Sequence, residues 1–404
     1  MGHTGLATGD RLHGLDALRA GALLLGVVLH ASLAFFPQQI WIVADDSRSI
    51  GAAGLFFAIH LFRMTAFFLI AGLFAHMMLG RRGWPGFAKD RLVRIMGPLA
   101  VFWLPVMVGI VGALIWTSQM NGLGASGAPP PPTPTYDWTN FPLTHLWFLW
   151  VLMLFYAVTL IVRMPFAALD RSGGWGRRID RVTGALIGPW TPALLAAPLA
   201  LAMWRDPNWI AFFAVPTPDE GLLPNTTALV GFGLAFGLGF LLDRRRDLLD
   251  RIAAWAPLFL LVAIASGIAA YGLAGGPKIV PMAEATDGKA IAAAVTALAV
   301  YSSAFAAMGL CLRFLSGHSP MRRYLADASY WVYILHLPLV MLAQVWVQDW
   351  AGAWWLKLGG VSLGVFAVCL ITYQLLIRNS FMGRWLNGRQ VPRRSRQTVT
   401  VPAE

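Results

Sequence analysis

The chain has 404 residues, of which 57% are hydrophobic and only 12% charged, with a mean hydropathy of +0.62. Those proportions exclude a water-soluble globular domain and point to a chain that buries itself in lipid. The formal charge of +12 does not restore a nucleic-acid reading, because the basic residues stand in short clusters between apolar runs and form no aromatic-interleaved groove.

Apolar segments fall at 18–36, 51–79, 93–116, 143–162, 183–204, 226–242, 252–274, 290–315, 328–348 and 353–377. Most of them approach or exceed the ~20 residues that cross a hydrocarbon core. The expectation is an all-α, polytopic membrane protein of about ten transmembrane helices. A single transmembrane domain covers 1–378, and a basic tail follows at 379–404. One set of connections carries Arg81, Arg82, Lys89, Arg91 and Arg94, then Arg163 to Arg181, then Arg244 to Arg251, then Arg313, Arg322 and Arg323; both termini join that set. The alternate connections hold Arg48, Arg205, Lys278, Lys289 and Lys357. By the positive-inside rule both termini are cytoplasmic.

The first segment, RLHGLDALRAGALLLGVVLHASLAFF, begins with Arg11, Asp16 and Arg19 and then runs apolar past His30. It has no small-residue cleavage site at its end and reads as a retained helix, not a signal peptide. An ionisable residue at membrane depth is expensive, so His30 is either functional or a ring satisfied by a neighbour. The second segment contains His60 and Arg63, whose spacing of three puts them on one helical face. A buried Arg is stable only with a partner or in a wet cavity. The third opens on FAKDRLVRIMGP, where Lys89, Arg91 and Arg94 serve either membrane topology or phosphate binding. A proline-rich connection, APPPPTPTYDW within 122–142, favours an extended path, as a spacer or as one wall of a cleft.

The fourth segment opens on THLWFLWVL, with His145 and Trp147 at the outer edge. They either meet a substrate from outside or mark the interface. The fifth is the weakest, since Pro189, Pro192 and Pro198 interrupt it. After it come Trp204 and Trp209, which read as interface anchors or, less plainly, as platforms for sugar faces. The ninth, YLADASYWVYILHLPLV, carries His336. Cys311 and Cys369 lie inside apolar runs and read as small buried hydrophobes.

Counted at ~1.5 Å per residue, His30 lies roughly 16 Å beyond Arg19, and His60, Arg63 and His336 come to a comparable level. A common depth points to one shared polar cavity. A proton-coupled transporter would place carboxylates there, whereas Asp16, Asp90, Asp243 and Asp327 sit at segment ends and Glu220, Glu284 and Asp287 lie outside. A neutral imidazole suits a general base near neutral pH. The balance favours an enzyme, with a carrier of anionic metabolites as the alternative. No Gly-rich phosphate loop, metal-ligand spacing or nucleophile elbow is present, so neither a metal nor a permanently bound cofactor is expected.

LDALRA…LLLGVVLHASL at 15–33, HLFRMTAFFLIAGLF at 60–74, DRLVRIMGP at 90–98, THLWFLWVLM at 144–153 and DASYWVYILHLPL at 327–339 resemble the acyltransferase-3 family of membrane proteins. Between 163 and 310 the likeness is one of hydropathy alone. The resemblance implies an enzyme of the bacterial inner membrane that takes an acyl group from cytosolic acyl-CoA and places it on a glycan outside. It implies His30 as catalytic base and Arg19 as an essential basic residue, with Asp16, three residues earlier, free to orient Arg19. The His-x-x-Arg-Met and His-Leu-Trp-Phe-Leu stretches resemble the branch that succinylates periplasmic glucans, which implies succinyl-CoA as donor and a glucose hydroxyl as acceptor. In that frame Lys89, Arg91 and Arg94 hold CoA phosphates, and Arg63 grips the succinyl carboxylate. His60, Arg63 or His336 donates to the developing oxyanion, and His145 and Trp147 line the sugar-facing mouth. Acetylation of another exported polysaccharide is the alternative within the enzyme class. The hydroxyl either attacks the thioester directly or receives the acyl group from His30.

Overall fold

In the computed structural model, residues 13–120, 136–170, 173–282 and 286–388 are described. The prolines of the connection up to residue 135, Arg11 and most of the basic tail lie outside them. Among the described residues twelve α-helices follow in order: α1 (His13–Ser32), α2 (Ile50–Arg91), α3 (Gly97–Met120), α4 (Trp147–Leu169), α5 (Gly174–Leu186), α6 (Thr191–Arg205), α7 (Thr226–Leu242), α8 (Leu248–Leu273), α9 (Asp287–Phe314), α10 (Pro320–Val347), α11 (Trp354–Thr372) and α12 (Phe381–Asn387). Among the described residues the extended backbone pairs only at one isolated bridge, Pro142 with Glu220. Such apolar runs become helices because a helix satisfies its own peptide groups where no water can.

Among the described residues, eight helical runs are long and apolar enough to cross a membrane, or nine if one bent pair counts as a span. The departures from the expected ten have local causes. Ile50–Met120 is one helical run of 71 residues, well beyond the ~20 of a single crossing. It is broken at Gly83, which adopts φ 65°, and at a π-helical turn over Leu92–Met96. The proline-interrupted fifth segment splits into α5 and α6, which meet at 97°. Pro192 falls in the first turn of α6, where its missing N–H costs nothing. Large side chains such as Val108, Ile161, Ile268 and Leu363 point outward, as lipid-facing surface requires.

α1 runs through the centre, packed on α2, α9, α10 and α11. α2 crosses α7 at two glycines: a β-carbon on Gly72 would lie 1.9 Å from the Phe236 carbonyl oxygen, and one on Gly239 1.8 Å from that of Leu69. Small residues at a membrane helix crossing let the backbones approach where apolar burial supplies no driving force. Two expectations change. Trp209 is fully buried, its Nε1–H donating to the Ala214 carbonyl at 2.7 Å, so it is a core residue and neither an interface anchor nor a sugar platform. The folded unit also runs past residue 378. Ser380 caps α12, whose Trp385 donates to the Val93 carbonyl at 2.7 Å and stacks on Phe102.

The connection between α1 and α2 is fastened twice. Lys357 Nζ donates to both carboxylate oxygens of Asp45, at 3.0 and 2.8 Å, and to the Gln348 carbonyl at 3.0 Å; both charged groups are buried. Trp41 Nε1 donates to Gln344 Oε1 at 2.9 Å, while Gln344 Nε2 donates to the carbonyls of His30 (3.0 Å) and Ala31 (3.1 Å). The last carbonyls of a helix have no partner within it, and Gln344 supplies one. Removing one member of a buried ion pair costs about 3–5 kcal/mol, because the other charge stays buried. Lys357→Met is therefore expected to lower the thermal unfolding temperature in detergent sharply, with Lys357→Met combined with Asp45→Leu recovering part of the loss; an unchanged midpoint in the single variant would refute the role of the pair.

Candidate active site

Four helices deliver polar side chains to one place. His30 stands in the last turn of α1, Arg63 about a third of the way along α2, His145 just before α4 and His336 on α10. The His30 and His336 ring centres are 5.3 Å apart, and those of His145 and His336 4.9 Å. Arg63 reaches them across Gly26, one turn before His30. A β-carbon on Gly26 would lie 2.7 Å from Arg63 Nη1 and 3.5 Å from His336 Nε2. Arg63, His145 and His336 are 8%, 6% and 1% exposed, and His30 is half-buried beneath Trp41 at 6.1 Å. Arg63 Nε has no hydrogen-bond partner, and among the described residues no carboxylate pairs with the guanidinium.

The backbone of α10 holds the two deeper histidines. Pro338 has no N–H, so the carbonyl of Ile334, four residues earlier, lacks its helical donor. His145 Nε2 lies 3.2 Å from that oxygen. His336 Nδ1 lies 2.6 Å from the Tyr333 carbonyl, and the Tyr333 hydroxyl donates to the His145 carbonyl at 2.7 Å. His145 reaches this position through Thr144, which adopts φ 51°. A β-branched residue in that region costs on the order of 1–3 kcal/mol and persists only where surrounding contacts enforce it. Here the amides of Leu143 and Thr144 both donate to the Asp219 carbonyl, at 3.0 and 3.2 Å.

The remaining candidates divide. His60 is turned to the Val215 carbonyl at 3.3 Å and stacks on Phe56 at 5.2 Å, at the edge of the cluster. Trp147 is buried and stacks on Phe232 at 5.5 Å, in the aromatic core and not at an opening. His145 likewise lies inside the bundle, not at its rim. Asp16 and Arg19 form the expected i,i+3 pair at 3.8 Å, and Arg19 lies over the Phe74 ring at 5.9 Å. At the basic end of the bundle Asp90 is buried among guanidiniums: Arg82 at 2.5 Å, Arg94 at 3.4 Å, and Arg91 in direct contact. Arg91 also lies over the Phe87 and Tyr156 rings, and Lys89 is exposed. Three guanidiniums on one carboxylate leave the cluster net positive, with Arg82 as a member the motif reading omitted.

Tyr333, Pro338, Gln344 and Gly26 are also absent from that reading. Pro338 was the legible one, since any proline inside a helix frees a carbonyl four residues back. A groove of about 690 Å³ opens elsewhere, between α2, α8 and α9, lined by Phe57, Leu61, Ile264, Ile268 and Ala306 among others. Its apolar lining suits lipid and offers no chemistry. Among the described residues no three His, Cys, Asp or Glu side chains are grouped to hold a metal ion. What the histidine cluster offers is acid–base groups beside a buried cation, in a setting where a hydrogen bond or charge acts strongly.

Comparison with known proteins places this arrangement. Proteins called Glucans biosynthesis protein C from Escherichia coli O139:H28 (strain E24377A / ETEC) and Escherichia coli (strain K12) are each 22% identical to the chain over 394 residues, covering 95% of it and 96% of their own length. No solved structure matches it. The acyltransferase-3 family model, described as an acyltransferase domain, matches residues 12–374, from the start of α1 through the end of α11 and into the turn that follows it. The chain belongs to the acyltransferase-3 family.

Proposed function

We propose that this multi-pass membrane acyltransferase moves a succinyl group from succinyl-CoA to a hydroxyl of a periplasmic glucan, with His30 as general base. The observation that carries the reading is Arg63. A buried guanidinium without an internal counter-ion is unfavourable until an anion arrives, and a succinyl thioester ends in a carboxylate that a guanidinium binds through two parallel hydrogen bonds. The glucan acceptor is supported by the names of the E. coli relatives. Reading the 71-residue run as two crossings and the bent pair as one gives ten crossings, with both termini in the cytoplasm. Arg82, Arg91 and Arg94, with Lys89, then lie on the cytoplasmic side, where CoA phosphates would meet them. His30 stands about 26 Å along α1 at ~1.5 Å per residue, toward the acceptor side.

In the reaction His30 removes the proton of the sugar hydroxyl as its oxygen attacks the thioester carbonyl on CoA. The C–S bond breaks and the proton returns to the departing sulfur. General-base assistance is worth roughly 10²–10⁴-fold, and Arg63 faces the charge that develops.

Reconstituted protein supplied with succinyl-CoA and glucan from a strain lacking the activity should produce a succinyl mass increase, which His30→Ala abolishes. Uptake of the anion without acylation would instead establish a carrier. Hydrogen bonds to a charged group contribute ~1.5–3 kcal/mol, so Arg63→Met should raise KM for succinyl-CoA by roughly 10- to 100-fold while leaving that for acetyl-CoA in place. Unaltered discrimination between the two donors would rule out the carboxylate grip. Gly26→Ala pushes the guanidinium away without changing any ionisable group. A displacement near 1 Å costs on the order of 10²-fold, so kcat/KM should fall by about that factor while the unfolding temperature holds.

A further inference from the structure

As neutral imidazoles, two rings in this site have no freedom over which nitrogen carries the proton. A carbonyl oxygen only accepts, so a ring nitrogen bonded to it must be the N–H. His145 therefore carries its proton on Nε2, facing the Ile334 carbonyl that Pro338 leaves free, and Nδ1 is a bare lone pair. His336 is the opposite tautomer, with its proton on Nδ1 facing the Tyr333 carbonyl and its lone pair on Nε2. Both lone pairs are buried and unpartnered. The third orphaned ring nitrogen is His30 Nδ1, on a ring whose centre is 5.3 Å from that of His336. That is about the separation of two imidazoles joined end to end by one N–H···N bond of ~2.9 Å, and a rotation of the rings would bring His30 Nδ1 and His336 Nε2, neither of which is bonded in the structure, into that contact. His30 Nε2, by contrast, is not among the buried unpartnered atoms.

This pattern removes His336 from the oxyanion donors expected above, since what it presents is an acceptor. We propose that His336 is the positioning residue of the reaction: its Nε2 accepts the Nδ1–H of His30 and so keeps His30 Nε2 as the bare nitrogen that takes the hydroxyl proton. Tyr333, His145 and Pro338 hold His336 in that tautomer and that place. The inference rests on the acyl-transfer reading with His30 as base. As the hydroxyl O–H breaks and the O–C bond forms, the positive charge arising on His30 is shared through its Nδ1–H with His336. When the C–S bond breaks, His30 Nε2–H returns the proton to sulfur, and both rings are again neutral. The oxyanion is left to Arg63, the donor that borders the same Gly26 surface.

The test has two arms. Nitrogen-15 NMR of histidine-labelled protein in bilayers reads each tautomer without turnover, with single His→Gln variants assigning the signals. The expected result is Nδ1–H for His336 and His30 and Nε2–H for His145, with Pro338→Ala, which restores a backbone donor to Ile334, redistributing the His145 signal. An Nε2–H signal for His336 overturns the proposal whatever the enzyme's substrate. Kinetics supply the second arm. His336→Leu should lower kcat with succinyl-CoA on the order of 10²–10⁴-fold with KM for the donor unchanged. His336→Gln, whose amide oxygen can still accept from His30, should recover at least tenfold of that loss. Equal kcat for the two variants, or a loss confined to KM or to the amount of folded protein, would overturn it. Wild-type protein that acylates no acceptor would refute the acyl-transfer reading, while the tautomer measurement still judges the arrangement of rings.

Discussion

A cation with no anion governs the middle of this molecule. Arg63 is 8% exposed, enclosed by apolar helices, and no carboxylate of the described chain pairs with it. Desolvating a charge costs several kcal/mol even after relaxation, so the bundle carries that cost wherever no ligand answers it. Nearly everything around Arg63 can be understood from this. Its neighbours are imidazoles and a phenol, not carboxylates, and Gly26 gives the guanidinium a place to lie by having no side chain. A structural arginine would have been given an aspartate, as Asp90 is given to Arg82, Arg91 and Arg94, or Asp45 to Lys357. The contrast between those satisfied pairs and Arg63 supports the proposal that an anion from outside completes the site.

α10 is the element through which that site is assembled. Tyr330 donates to the Arg94 carbonyl at 2.8 Å, Tyr333 to that of His145, His336 faces His30, and Gln344 caps the end of α1. One helix thus links the basic cluster at one end of the bundle to the histidines and then to the connection that carries Trp41. The proline within it is used for what it removes. By withholding one N–H, Pro338 turns a helix carbonyl into a fixed receptor for a histidine of another helix. The same ring packs on α3, where a β-carbon on Gly109 would lie 2.7 Å from Pro338 Cβ. Backbone groups do not titrate, and for that reason they fix a tautomer more firmly than a side chain would.

The class of fold is legible in the chain alone, because runs of apolar residues in lipid admit helices and little else. So are the residues that are anomalous there: His30, Arg63 and His336 stand out against apolar neighbours, and counting along each helix brings them to one level. The i,i+3 pairing of Asp16 with Arg19 was legible for the same reason, being a local consequence of helical geometry. What depended on contact between distant segments was not legible. Trp209 and Trp147 read as surface aromatics because hydropathy does not say which neighbours cover a ring. His145 read as a residue of the rim because its helix begins there, whereas the strained Thr144 and the Asp219 carbonyl turn it inward. Contacts between distant segments decided that Arg63 has no carboxylate partner among the described residues, that Asp90 already occupies three arginines, and which backbone carbonyl each deep histidine faces. Each of these is a statement about what lies across a helix interface, and a single sequence carries no record of that.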